Sequence, residues 1–155
     1  MIDLYCKETT AMFVGHRECY EMDREQLERE IIGLIEKGVD TFLSGGMGQF
    51  DAACEGTVAR LKSQYPHIKL YVIMPYVNFQ TKHITPADEL IFPDGFELYH
   101  PKAAIQKRNR YMVDRSAYAV CYVQHSWGGA AQTLDYIKRK QIQCISIPPL
   151  PPENR

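Results

Sequence analysis

The chain has one tryptophan, no charge excess of either sign, no C-x-x-C pair and no long apolar run, and each absence removes a class of function. With 18 Lys and Arg against 19 Asp and Glu, and a formal net charge of -1, it lacks the broad positive field that gives non-specific affinity for nucleic acid. Only a local basic patch stays open. No stretch approaches the roughly 18 apolar residues of a membrane span, and Met1 to Thr10 carry Asp3, Lys7 and Glu8 where a secretory signal would be apolar. A cytoplasmic protein without membrane contact is expected. Cys6, Cys19, Cys54, Cys121 and Cys144 are odd in number and suggest neither a zinc site nor dithiol chemistry. No metal and no cofactor are therefore assigned, and Cys54, Cys121 and Cys144, which fall in apolar segments, read as core thiols.

What is present suffices for one domain. The 155 residues, 45% of them hydrophobic, fit a single folded unit. Short apolar runs alternate with helical-period segments: Ala11 to Val14, Thr41 to Leu43, Leu70 to Met74, Ala119 to Val123 and Ile142 to Ile147. Runs apolar on both faces suit central parallel strands, so an α/β domain is expected: a single Rossmann-like three-layer unit with a mostly parallel five-stranded sheet and helices on both faces. It occupies residues 1–147.

Asp23 with Gln26 three residues on reads as a capping box ahead of the stripe Leu27, Ile31, Leu34 and Ile35, which Gly38 ends. A second helix is expected from Gln49 to Tyr65, stopped by Pro66. Between Asn78 and His100 the pattern weakens into an excursion with a short helix and a minor strand, either a lid or an irregular crossover. The proline-rich tail, 148–155, cannot continue a strand and is expected to be extended and exposed, a partner-binding segment or merely an end.

Three strand ends lead into glycine-bearing turns: Gly15-His16-Arg17, Ser44-Gly45-Gly46-Met47-Gly48, and Ser126-Trp127-Gly128-Gly129. In a parallel sheet these emerge on one edge, where open α/β proteins bind ligands. The Ser44 to Gly48 turn is either a phosphate cradle at a helix N-terminus or only a tight turn, and it matches neither a Walker sequence nor G-x-G-x-x-G. Gly128 and Gly129 offer a second helix N-terminus. Trp127 either stacks on a base or plugs the sheet end. Arg17 is a fork for phosphate or half of a surface ion pair, and His16 is a turn residue without a nucleophile to serve.

On the helix from Lys102 to Ser116, Asn109 falls in register with Ile105 and Met112, and Arg108 leans to the same side. This pair either ties down loop carbonyls or reaches the ligand crevice. Asp51, in the first turn of its helix, satisfies the helix dipole or binds a ribose hydroxyl. As weak catalytic candidates stand Asp51, Glu55 one turn further on, and Asp135.

In order along the chain, Phe13-Val14-Gly15-His16-Arg17, the Ser44 to Gly48 turn with Asp51, Lys107 to Asp114, and Trp127-Gly128-Gly129 with Thr133 resemble the SLOG superfamily, and more narrowly its short bacterial "GHR" members. The resemblance runs from Phe13 to Ile147 and lies in the combination of motifs. It implies a Rossmannoid fold and a nucleotide-derived, phosphate-bearing small molecule, bound or sensed at the glycine turns and the Arg-Asn helix. The superfamily includes the Lonely Guy phosphoribohydrolases and DNA processing protein A, which binds single strands. The former carry Pro-Gly-Gly-x-Gly-Thr-x-x-Glu, whereas Trp127 replaces the proline here and Gly128 to Thr133 lack the later glycine and glutamate. N-glycosidic hydrolysis is thus the alternative reading. A nucleic-acid partner is not expected on the charge balance, and assembly with further copies of the chain stays open.

Overall fold

A computed structural model describes residues 5–154. Six strands, one more than expected, form a single parallel sheet in the order β4-β3-β2-β1-β5-β6. They are β1 (Thr10–Gly15), β2 (Thr41–Ser44), β3 (Lys69–Ile73), β4 (Glu89–Ile91), β5 (Tyr118–Tyr122) and β6 (Gln143–Ser146). The added strand is β4, three residues at the sheet edge with Leu90 more than half exposed, which is why its apolar signal is weak. Apart from one short 3-10 turn, Phe96–Leu98, the excursion around it is irregular connection, so a crossover describes it.

Four helices cover the sheet: α1 (Arg24–Glu36), α2 (Gln49–Leu61), α3 (Pro101–Asp114) and α4 (Gly128–Lys140). The strict alternation along β1 explains the layering. Ala11 and Phe13 face a core with Leu27, Ile31, Phe50 and Cys54 of α1 and α2, while Met12 and Val14 face a second core with Met112, Val113 and Ile137 of α3 and α4. In the first layer Phe13 and Phe42 stack with centroids 5.8 Å apart. Full burial of each ring contributes about 1.5–3 kcal/mol. No helix among the described residues is long and apolar enough to cross a membrane.

The Asp23 cap forms, its Oδ1 accepting the Gln26 N–H at 3.0 Å, yet the reciprocal half of the box does not. The Gln26 amide turns to Glu30, and the Asp23 N–H donates instead to Pro148 O at 3.0 Å. This contact corrects in part the expectation of an extended, exposed tail. Met22 and Pro149 form an antiparallel bridge and the Leu150 N–H donates to Glu21 O, so 148–150 is strapped over the loop after β1, with Pro149 and Leu150 half-buried and Pro148 and 151–153 exposed.

Chain order reverses beside β1. From there the chain steps outward through β2, β3 and β4, then returns to lay β5 on the other flank of β1. The loops leaving β1 and β5 therefore diverge to opposite faces, and the gap between them lies where open α/β sheets in general bind their ligands.

Candidate functional site

A cavity of about 670 Å³ opens in that gap. Gly15, His16 and Arg17 line it from β1, Gly45, Met47 and Asp51 from the β2–α2 turn, Arg108 and Asn109 from α3, and Trp127, Gly128, Gly129 and Thr133 from the start of α4. Ser44, Gly46 and Gly48 stand behind the wall. Of the acidic candidates, Asp51 alone lines the cavity; Asp135 is exposed on α4, and Glu55 is fully buried beneath the turn.

Three N–H groups of the β2–α2 turn are already engaged. Gly46 N–H donates to Ser44 Oγ at 3.2 Å, Met47 N–H to Asp51 Oδ2 at 2.8 Å, and Gln49 N–H to Arg17 O at 2.8 Å. The turn thus grips the loop after β1. Gly48 makes the approach possible, since φ is +105° and a Cβ there would lie 2.6 Å from the Arg17 Cα. Gln49 completes the clamp with its Oε1 accepting the Cys19 N–H at 2.9 Å.

What the clamp positions is Arg17, which is exposed at the cavity rim and forms no ion pair among the described residues. Facing it is α4, whose N-cap Trp127 is extended and makes no side-chain cap bond. Gly128 follows with φ +91°. An uncapped helix N-terminus offers unpaired N–H donors and a positive dipole end, so it and Arg17 together favour an anion. Thr133, fully buried, bonds back to Gly129 O at 2.9 Å within the same helix.

Between these groups stands a column of rings. His16 and His125 stack with centroids 3.9 Å apart and planes 16° from parallel; His125 and Trp127 follow at 4.0 Å and 17°. Hydrogen bonds lock the tautomers. The Gln124 N–H donates to His16 Nε2 at 2.7 Å, and His125 Nδ1 donates to Trp127 O at 2.9 Å. Burial, and then the neighbouring His125, hold His16 below the usual imidazole value, which suits an Nε2 that must accept. Trp127 is 69% exposed, so it does not plug the sheet end.

The floor is Arg108, 2% exposed. One terminal nitrogen donates to Gly45 O at 2.7 Å and Ile73 O at 2.9 Å, the other to Met47 Sδ at 3.1 Å, and Nε to Asn109 Oδ1 at 2.8 Å. Arg108 therefore ties down loop carbonyls while it lines the cavity. Burial lowers its pKa to about 10, against the pull of Asp51. Burial likewise raises Asp51 to about 7, opposed by the Met47 N–H and Arg108. A carboxyl group titrating near neutrality in a cavity is equipped for proton transfer.

Sequence reading passed over His125, Gln124, Glu18, Glu21 and Pro149, all of which line the cavity. The available signal was positional. His16 directly follows β1 and His125 closely follows β5, and those are the two strands that flank the order reversal.

The profile of the YspA SLOG family matches residues 5–145. The chain belongs to this family. Among its relatives is the UPF0398 protein BH1768 of Halalkalibacterium halodurans, 26% identical over 131 residues that cover 77% of this chain and 69% of that protein. The SPbeta prophage-derived protein YoqJ of Bacillus subtilis is 27% identical over 143 residues, covering 76% and 83%. Among solved structures, the fold is shared with DNA processing protein A from Helicobacter pylori, described for its single-stranded DNA binding mode. The TM-score is 0.59 at 13% identity, with 88% of this chain and 64% of that one covered. The Streptococcus pneumoniae protein of the same name gives a TM-score of 0.54 at 13% identity, covering 91% and 58%. The chain thus spans about three-fifths of each solved chain.

Proposed function

We propose that this chain binds a nucleotide-derived, phosphate-bearing small molecule in the cavity between β1 and β5. The phosphate rests between the uncapped start of α4 and Arg17, and the flat base adds to the ring column on Trp127. The observation that carries this reading is the pairing of an anion-favouring pole with a stacking platform on one cavity. Aromatic stacking on a base is worth about 1–3 kcal/mol, and every base offers a π face. SLOG membership supports the same ligand class. A small ligand fits better than a strand, since the net charge is -1 and Glu18 and Glu21 at the cavity repel a polyanion.

Trp127 is the sole tryptophan, so its fluorescence reports the site alone. Titration with mononucleotides, dinucleotides, ADP-ribose derivatives and a single-stranded oligonucleotide should give saturable quenching by a small ligand. The same ligand raises the melting temperature, with about 2.7 kcal/mol of stabilisation at a hundredfold excess over Kd. Failure of the whole panel to quench or stabilise overturns the reading, and a preference for the oligonucleotide replaces it with strand binding.

One observation favours a second reading, an N-glycosidic hydrolase of nucleoside monophosphates: the cavity-lining Asp51 holds a proton near neutrality. Free-base release followed by chromatography tests it. Release that proceeds equally fast in Asp51→Asn removes Asp51 from the chemistry.

A further inference from the structure

Outside the cavity, on the face of the sheet covered by α3 and α4, the thiols of Cys121 and Cys144 touch, Sγ to Sγ 2.9 Å. The two residues sit on neighbouring parallel strands, β5 and β6, two positions out of direct register: Cys121 pairs with Ser146, and Ala119 with Cys144. Their exposures differ. Cys121 is 1% exposed, whereas Cys144 is open to solvent on the edge strand. We propose that this pair is a redox modification site, in which exposed Cys144 is attacked by a hydroperoxide and buried Cys121 resolves the product into a reversible disulfide.

The contact supplies the activation as well as the partner. A hydrogen bond from Cys121 brings Cys144 down to about 7, with help from Ser146 and the Lys138 ammonium on α4. The same contact and burial push Cys121 upward. Cys144 is therefore the attacking thiolate and Cys121 the protonated reserve. In the first step the Cys144 sulfur attacks the peroxide oxygen: an S–O bond forms, the O–O bond breaks, and the electron pair leaves on the alkoxide or hydroxide, which takes a proton. In the second, the Cys121 sulfur attacks the sulfenic sulfur: the S–S bond forms, the S–O bond breaks, and hydroxide departs as water with the Cys121 proton. The protein gives up two electrons and two protons, and the peroxide is reduced to alcohol and water.

Register argues that the bridge is reversible. Strands lie about 4.8 Å apart and two residues advance about 6.6 Å, so the diagonal is about 8 Å, beyond the roughly 7 Å between Cα atoms that a disulfide spans without backbone movement. Closing the bridge therefore requires the edge strand to shift toward β5, and the strained disulfide remains open to reducing thiols. Cys6 makes the contrast. It is exposed too, but it donates its S–H to Glu8 Oε2 at 3.0 Å, and no second thiol contacts it among the described residues.

Treating the whole protein with one equivalent of hydrogen peroxide and weighing it intact should show the loss of two hydrogens. A non-reducing peptide map should link the Cys121 and Cys144 peptides, and dithiothreitol should restore the starting mass. In Cys121→Ser the reaction should stop at a sulfenic acid on Cys144, trapped by dimedone. An intact mass that stays unchanged, a link through Cys6, Cys19 or Cys54, or oxygen gain on Cys144 without the link each overturns the proposal. The wild-type measurement decides even where the core substitution fails to fold.

Discussion

Arg108 makes four hydrogen bonds from a nearly sealed position, and two of them end on backbone carbonyls of separate segments, Gly45 and Ile73. Its planar fork is what lets one nitrogen serve both. Arg108→Lys keeps the charge but not the geometry, and should cost about 3 kcal/mol, or roughly 10 °C in melting temperature, because both carbonyls lose their donor. A melting temperature within 2 °C of wild type, on the order of half a kcal/mol, would contradict this role. The sequence located this residue without ranking it. Asn109 falls in register with Ile105 and Met112 on the apolar side of α3, and Arg108 leans to the same side. The helix turns the stripe Ala104, Arg108 and Met112 inward instead, leaving Asn109 and Ile105 half-buried.

At the scale of elements, the β2–α2 turn was legible as a glycine turn but not as a clamp, because hydrogen bonds to a loop thirty residues away leave no local pattern. The same holds for Glu55 beneath it. Its Oε2 accepts Ser44 Oγ–H at 2.6 Å, while Oε1 faces His83 Nε2 at 3.0 Å and accepts the Thr85 hydroxyl. This carboxylate pins the irregular segment 81–87 against α2. Glu55→Gln keeps the shape and removes the charge that strengthens those bonds, so 81–87 should open more often and be cleaved about tenfold faster in limited proteolysis. Cleavage at the wild-type rate would show that the segment is held elsewhere. By contrast, the boundaries of β1, β2, β3 and β5 lie within a residue or so of the apolar runs, because strands buried on both faces write their length directly into the sequence. Exposed β4 and edge strand β6, with Cys144 facing solvent, carry less of that signal.

For the molecule as a whole, the cavity couples folding to pH through two groups that pull in opposite directions. Asp51 is raised to about 7, so between the usual carboxylate value and 7 the folded chain holds a proton that the unfolded chain has lost. Its contribution is complete in acid and declines as pH rises through 7. His16 is lowered, so below the usual imidazole value the unfolded chain binds the extra proton; that contribution is complete above this value and is lost as pH falls through the lowered one. Asp51 carries the larger shift and sets the net slope, a loss of stability from pH 5 to 7.5 that His16 opposes below the usual imidazole value. Asp51→Asn retains an oxygen to accept the Met47 N–H while removing the titration. Denaturant unfolding of both proteins across this range should show the decline in wild type and a profile that rises to about pH 6.5 in the variant. Parallel profiles would mean that Asp51 is ionised throughout, and the proton-transfer role considered for it would lose its physical basis.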